Sequence, residues 1–301
     1  MSSPAYYIVT GGTSGIGLEA AKAIASANPN DKVIITGRSE PQVELPSNIE
    51  LRCFDLGDLA QVKAFVDSWE HPVSALLLNA GLAEGKGEPN FVDGVERTLA
   101  VNHLGGAALF HGLYEKDLIT PEGRVILTTS AMHDPEMVGS PAKPHWTTAA
   151  DAAAAKTKEE QDPGVRYSNT KLANVLWSYA LSRHAEEKGK AWSVIAMDPA
   201  FVPAGGSKIF RESGAIMAAG LFVMSYIPGL VTMLSGITTS TVERSGKQLA
   251  DLALGAGHKG ERMAYYKVEN KIESSKQSHD VGAQDDLWDW TVQKLGVKAN
   301  L

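Results

Sequence analysis

The chain has 301 residues, 44% hydrophobic and 21% charged, the profile of a soluble globular protein with one substantial core or two modest ones. A net charge of −7 without a Lys/Arg run gives no electrostatic footprint for nucleic acid. The single Cys53 excludes an internal disulfide framework and a cysteine-rich metal site, so no metal is expected and a reducing compartment suits it.

The stretch MSSPAYYIVT lacks the basic and long apolar regions of a secretory signal, and a cytoplasmic location is expected. Residues 6–10 (YYIVT) predict a strand, and 15–28 a helix with Leu18, Ala21 and Ile24 on one face. Strands follow at 32–36 (KVIIT) and 49–54 (IELRCF). A helix over 58–69 carries Leu59, Val62, Phe65 and Val66 at helical spacing. The unbroken apolar run VSALLL at 73–78 predicts a strand covered on both faces. The pattern continues with a helix over 92–116, a strand at 124–129 (RVILTT), a helix over 166–188 and a strand at 192–197 (WSVIAM). A helix at 242–254, a strand at 263–267 and a helix at 284–295 complete it.

This alternation implies an α/β fold, a doubly wound, mostly parallel sheet with helices on both faces, in one domain spanning 1–301. Two stretches interrupt it: an insertion at 131–165, containing TTAADAAAAKTKEEQDPG, and residues 201–241. Ser213 to Val242 holds no charged residue and no His. Pro228-Gly229 breaks that segment, and its most apolar piece, AIMAAGLFVM, is too short to span a bilayer. It is read as an apolar substrate lid, with weak surface association the remaining membrane contact.

The first strand runs into TGGTSGIG, Thr10–Gly17. Glycines let a backbone approach an anion, and the amides and dipole of the following helix favour its charge. The spacing Gly11-x-x-x-Gly15-x-Gly17 differs from G-x-G-x-x-G, and a turn that only closes helix on strand needs one or two glycines. The second strand ends in Gly37-Arg38, with no acid until Glu40. Arg at this place accommodates a ribose 2′-phosphate where an acid would bind the 2′-hydroxyl, which favours NADP over NAD. Tyr167 and Lys171, in YSNTK, share one helical face. Alone they read as an ordinary exposed face. Their meaning comes from chain order: the glycine turn, Asn79-Ala80-Gly81, Asn102 in VNHLG, and Ser130 closing RVILTTS.

With these motifs the chain resembles the short-chain dehydrogenase/reductase family, of the NADP-preferring type, strongly over residues 5–200 and more weakly through VERSGKQLADLA and DDLWDW. The resemblance implies a seven-stranded, mostly parallel Rossmann-type sheet with NADP (NADPH) across its carboxyl ends. It implies Tyr167 as general acid/base and Ser130 as hydrogen-bond donor to the substrate oxygen. Lys171 would favour the phenolate and bond the nicotinamide ribose, and Asn102 would hold a water that links Lys171 to solvent. The implied cofactor contacts are Gly11, Thr13, Ser14, Gly15, Ile16, Gly17, Arg38, Asp55, Leu56, Asn79, Ala80, Gly81, Tyr167, Lys171 and Val202. Asp55 also reads as an N-cap of the next helix.

Three departures stand out. Pro199-Ala200 replaces the family's Pro-Gly, and Ala carries a cost if that position needs positive φ. Ala204 replaces a common Thr, with Ser207 as a substitute. The 36 residues between Ser130 and Tyr167 resemble the branch of retinol dehydrogenases and light-dependent protochlorophyllide reductases. There His133 is either a substrate contact or a polar loop residue. The expected function is NADPH-dependent reduction of a medium-sized hydrophobic carbonyl compound, or the reverse oxidation. Alternatives are reduction of an activated C=C or C=N bond, and a non-catalytic NADP sensor or scaffold. The resemblance also implies a homodimer or homotetramer, with the insertion placed where it could block a usual contact.

Overall fold

β1 (Tyr6–Thr10), α1 (Gly15–Ala27), β2 (Lys32–Gly37), β3 (Ile49–Cys53), α2 (Leu59–Ser68) and β4 (Val73–Leu78) follow one another as alternating strands and helices, and β4 coincides with the expected run. The computed structural model describes residues 3–85, 87–137, 140, 142–203, 238–258 and 260–298. Most of the expected lid, together with Ala204 and Ser207, lies outside the described residues.

After β4 a two-stranded hairpin, β5 (Phe91–Val92) and β6 (Val95–Glu96), precedes one continuous helix, α3. This helix is α-helical over Arg97–Leu99, π-helical over Ala100–Leu104 and α-helical again over Gly105–Glu115. The expected helix therefore begins later than residue 92. Asp93 and Gly94, both at positive φ, make the two-residue turn that Asp-Gly favours between strands.

β7 (Ile119–Thr128) begins earlier than expected because Ile119 pairs with Val73 across a register shift, after which Arg124 pairs with Ala75. The insertion holds a short helix, α4 (Ala149–Ala154), capped by the Thr148 hydroxyl on the Asp151 amide. Then come α5 (Pro163–Glu187), β8 (Ser193–Asp198), α6 (Val242–Leu254), β9 (Met263–Lys267), β10 (Asn270–Ile272) and α7 (Val281–Leu295).

The sheet order is β3-β2-β1-β4-β7-β8-β9-β10. Seven strands run parallel, as expected, and β10 adds an antiparallel eighth at the edge. It follows the two residues Val268-Glu269, and Val268 adopts φ +50, a conformation a β-branched side chain rarely takes. No turn signature announces it.

Period-two alternation sends Ile8, Ile34, Leu76, Val125 and Val194 to one face, against α2, α3, α5 and α7. Val9, Ile35, Leu77, Ile126 and Met197 go to the other, against α1 and α6. Both faces are thus covered, which is why the central strands are apolar throughout. The strand order reverses between β1 and β4, and in sheets of this kind the crevice outside the carboxyl ends at such a reversal is where ligands bind. No described helix is long and apolar enough to cross a membrane.

Candidate active site

The glycine turn leaves β1 and enters α1 at that reversal. Gly11 and Gly15 hold φ of +64° and +57°. A Cβ on Gly17 would lie 2.5 Å from the Gly11 carbonyl oxygen and the Asn79 amide nitrogen. Ser14 is the N-cap of α1 but makes no side-chain cap, and no acid occupies the first turn. The helix start thus keeps its donors and positive dipole end for an anion, so the turn can hold a phosphate. Thr13 packs against Gly37, and Ile16 is buried in the core behind the turn.

Thr10 ties this turn to the end of β4. Its hydroxyl donates to the Leu77 carbonyl and accepts the amides of Asn79 at 2.9 Å and Ala80 at 3.0 Å. The Asn79 side chain spans three strand ends, donating to the Thr10 carbonyl at 3.0 Å and accepting the Thr128 hydroxyl at 3.1 Å. Arg38 is exposed, 3.9 Å from Asp55. Asp55 closes a turn on the Gly57 amide, and Asp58, not Asp55, caps α2. Leu56 is buried in the core, as is Val202 on the opposite face.

The glycine strip and the proposed chemistry meet at Gly81. A Cβ there would lie 3.5 Å from Asn102 Oδ1 and 3.6 Å from Lys171 Nζ. Asn102 sits in the π-helical turn of α3, a distortion frequent at functional sites. Its amide donates to the Leu82 carbonyl at 2.8 Å and the Thr170 hydroxyl at 3.0 Å, and its Oδ1 accepts the Leu82 amide at 2.7 Å. The second lone pair on Oδ1 is what the side chain retains for a water. Lys171, 3% exposed, donates to the Thr128 carbonyl at 3.0 Å and keeps two further donors. Burial pulls its pKa down to about 8, against the opposing charge of Asp198.

The Tyr167 pKa is raised, first by burial and then by Asp198, in the direction opposite to the phenolate stabilisation that the resemblance implies for Lys171. The Lys171 ammonium lies 5.4 Å from the Tyr167 ring centroid. Ser130 caps a short 3-10 turn, Ala131–His133, by accepting the Met132 amide, and its hydroxyl hydrogen is free to donate elsewhere. His133 is buried beneath this turn, with both ring nitrogens engaged by protein backbone; that favours the packing role over the substrate contact.

Two features escaped the sequence reading. Asp198, 2% exposed at the end of β8, has its own pKa raised by burial, and its carboxylate form acts on both Tyr167 and Lys171. Arg166, also 2% exposed, sits between Glu96 at 3.5 Å and Glu84 at 3.8 Å, tying the start of α5 to the loop after β4. An acid closing an apolar strand, as in VIAMD, is the signal for the first. The second carries none, because its partners are remote in sequence. A cavity of about 530 Å³ opens beside Asp134, Pro144, His145, Trp146, Lys276 and Gln277, where the insertion meets the segment before α7. Among the described residues no cluster of His, Cys, Asp and Glu is arranged to hold a metal.

The family model for short chain dehydrogenases matches residues 5–167. The chain is similar to the short-chain dehydrogenase TIC 32 B, chloroplastic, of Brassica napus, 26% identical over 95% of this chain and 87% of that protein. It is also similar to retinol dehydrogenase 12 of Homo sapiens, 24% identical over 97% and 86% respectively, which matches the branch indicated by the long insertion. A crystal structure of an uncharacterized protein from Mycobacterium paratuberculosis shares the fold, with a TM-score of 0.69 and 20% identity over 100% of this chain and 98% of that one.

Proposed function

The chain belongs to the short-chain dehydrogenase family of oxidoreductases, and from that premise we propose that it is an NADPH-dependent reductase of a carbonyl on a medium-sized hydrophobic substrate, or catalyses the reverse oxidation. The observation that carries this reading is the meeting of Gly81, Asn102 and Lys171 at the carboxyl ends of β4 and β7. In this reading the segment after β4, which the glycine turn contacts through Ala80, leads to the lysine of the proposed acid/base pair. A sensor that only bound the nucleotide would have no use for Tyr167 and Lys171 on the same helix face.

When bound, NADPH supplies the hydride and its electron pair. The amides at the start of α1, with the Gly11–Gly17 turn, would hold its diphosphate, and Arg38 the 2′-phosphate. Tyr167 gives its phenolic proton to the carbonyl oxygen, so that hydride and proton together complete the alcohol. Ser130 donates a hydrogen bond to that oxygen, where negative charge grows. Lys171 uses its free donors to orient the ribose and, as a cation, to stabilise the phenolate left after proton transfer. Asn102 holds Leu82 and Thr170 in place around Lys171 and offers its remaining lone pair to a water for proton resupply.

The hydrophobic substrate class rests on the uncharged stretch from Ser213 to Val242. NADPH consumption over a panel of apolar ketones, quinones and enones tests the whole reading. Turnover is expected with at least one ketone and lost in Tyr167→Phe. Full turnover in that variant would remove Tyr167 as proton donor, and activity confined to enones would move the reaction to C=C reduction.

A further inference from the structure

Asp198 ends β8 with its carboxylate buried. The register places Thr128 opposite Met197, and Thr128 is the residue whose carbonyl holds Lys171. Met197 faces α1 and α6, so alternation turns Asp198 to the same face as Val194 and Ala196. Ala196 packs against Val175, one helical turn beyond Lys171 on α5. Asp198 therefore stands beside the Tyr167–Lys171 pair, although it is 27 residues away in sequence from Lys171.

The backbone around it is strained in two places. Ala200 adopts φ +61 where L side chains pay a steric cost, and Asp198 Oδ1 accepts its amide at 2.9 Å, closing an Asx-type turn that holds it there. The other is Val268, at φ +50, whose amide donates to the Asp198 carbonyl at 2.8 Å. Asp198 Oδ2 is buried without a hydrogen bond of good geometry among the described residues, although the Ala131 amide is directed at the carboxylate. Such a group is costly to keep and is not explained by packing alone.

We propose that Asp198 is a positioning residue of the proton-transfer site: its carboxylate fixes the turn at Ala200 and lays a negative charge beside Tyr167 and Lys171, which biases the site toward giving a proton rather than taking one. The proposal rests on the reductase reading above. The groups that face Asp198 are Tyr167 and Lys171 from α5, Tyr265 and Lys267 from β9, and the amides of Ala131 and Ala200. An anion among them disfavours the Tyr167 phenolate and favours the Lys171 ammonium, so both stay protonated to higher pH. Reduction needs the protonated phenol. Its rate should fall as pH rises through the Tyr167 titration, and Asp198 moves that fall upward. Ala131 follows Ser130 directly, so the same carboxylate also reaches the segment that presents the serine hydroxyl.

The test compares three full-length proteins with NADPH and a ketone that the wild type reduces. Asp198→Asn keeps an oxygen for the Ala200 amide but removes the charge. The alkaline limb of its kcat/KM profile is expected to move down by about one pH unit, a loss of about tenfold on that limb, with NADPH affinity by fluorescence near that of wild type. Asp198→Ala also loses the turn acceptor and is expected to lower both melting temperature and NADPH affinity. Adding Ala200→Gly supplies a residue that enters the left-handed region freely, so the double variant should recover both while keeping the displaced limb. An unmoved limb in Asp198→Asn and in the double variant, in an enzyme whose turnover depends on Tyr167, overturns the proposal. If the wild type reduces no ketone, or Tyr167→Phe turns over fully, it is the reductase reading that fails.

Discussion

His133 Nδ1 donates to the carbonyl oxygen of Ser130 across 2.8 Å, and the far side of the same ring accepts the Ser275 amide at 3.0 Å. The two bonds together fix the neutral tautomer, because Nε2 must keep its lone pair. Burial also holds the His133 pKa down. The loop that presents the serine hydroxyl is thereby fastened to the segment before α7. Replacing His133 by Ala leaves the buried Ser275 amide unpaired, while the Ser130 carbonyl keeps the backbone amide of residue 133, and is expected to cost about 1–3 kcal/mol, read as a lower melting temperature. A fall in kcat should accompany it as Ser130 loses its support.

Acid should unfold the protein through a second group of histidines. Burial pulls His103 to about 3 and His111 to about 4, so both are neutral in the folded state near pH 7. In the unfolded chain each takes a proton below about pH 6.5. Their folded pKa values are depressed, so the unfolded state binds more protons, and stability present above about 6.5 is lost as pH falls toward 4. His111→Phe, which keeps an aromatic ring beside Trp288, should reduce the slope of unfolding free energy in that window by about 1.4 kcal/mol per pH unit. Urea titrations at several pH values measure it.

Arg38 tests the choice of nucleotide. It is exposed and paired only loosely with Asp55, at 3.9 Å, so its guanidinium can turn to a 2′-phosphate at little cost. Arg38→Ala should weaken NADPH by about 10–100-fold, the worth of a charge-assisted hydrogen bond, and leave NADH nearly unchanged. Equal affinities for the two nucleotides in the wild type would remove the 2′-phosphate argument.

Gly17→Ala should close the phosphate cradle. The added methyl would meet the Gly11 carbonyl and the Asn79 amide at 2.5 Å, both fixed by neighbouring strands. Nucleotide binding is expected to fall more than tenfold by fluorescence titration, and melting temperature to drop with it.

Arg166 provides a stability test next to the candidate chemistry. Its guanidinium is buried between Glu84 and Glu96, and Arg97 also reaches Glu84 at 3.2 Å. Removing one partner of a buried charge cluster costs about 3–5 kcal/mol, so Arg166→Met should unfold at much lower urea. Replacing both Glu96 and Arg166 by apolar residues should recover part of the loss. A single variant as stable as wild type would show that the pair is solvated rather than buried.

The local code of this chain was legible in its sequence. Apolar runs and helical spacing located most of the parallel strands and their helices, because each pattern is set by residues a few positions apart. The glycine turn, Arg38, Ser130, Tyr167 and Lys171 stand out as candidates in the sequence through their order along the chain, since each alone is a short and common pattern at a strand or helix end. The hairpin at Asp93-Gly94 carries its own Asp-Gly turn signal, which competes with the helical spacing that predicts a helix from residue 92. Other features were settled only by the tertiary structure. β10 follows a strained valine that no propensity would place there, and His133 turned inward because Ser275 arrives from the far end of the chain. The pKa of Tyr167 depends on burial and on Asp198, whose neighbours are gathered from α5 and β9. Electrostatics and strain are properties of what surrounds a residue in space, so they appear only when the sheet has brought distant strands together.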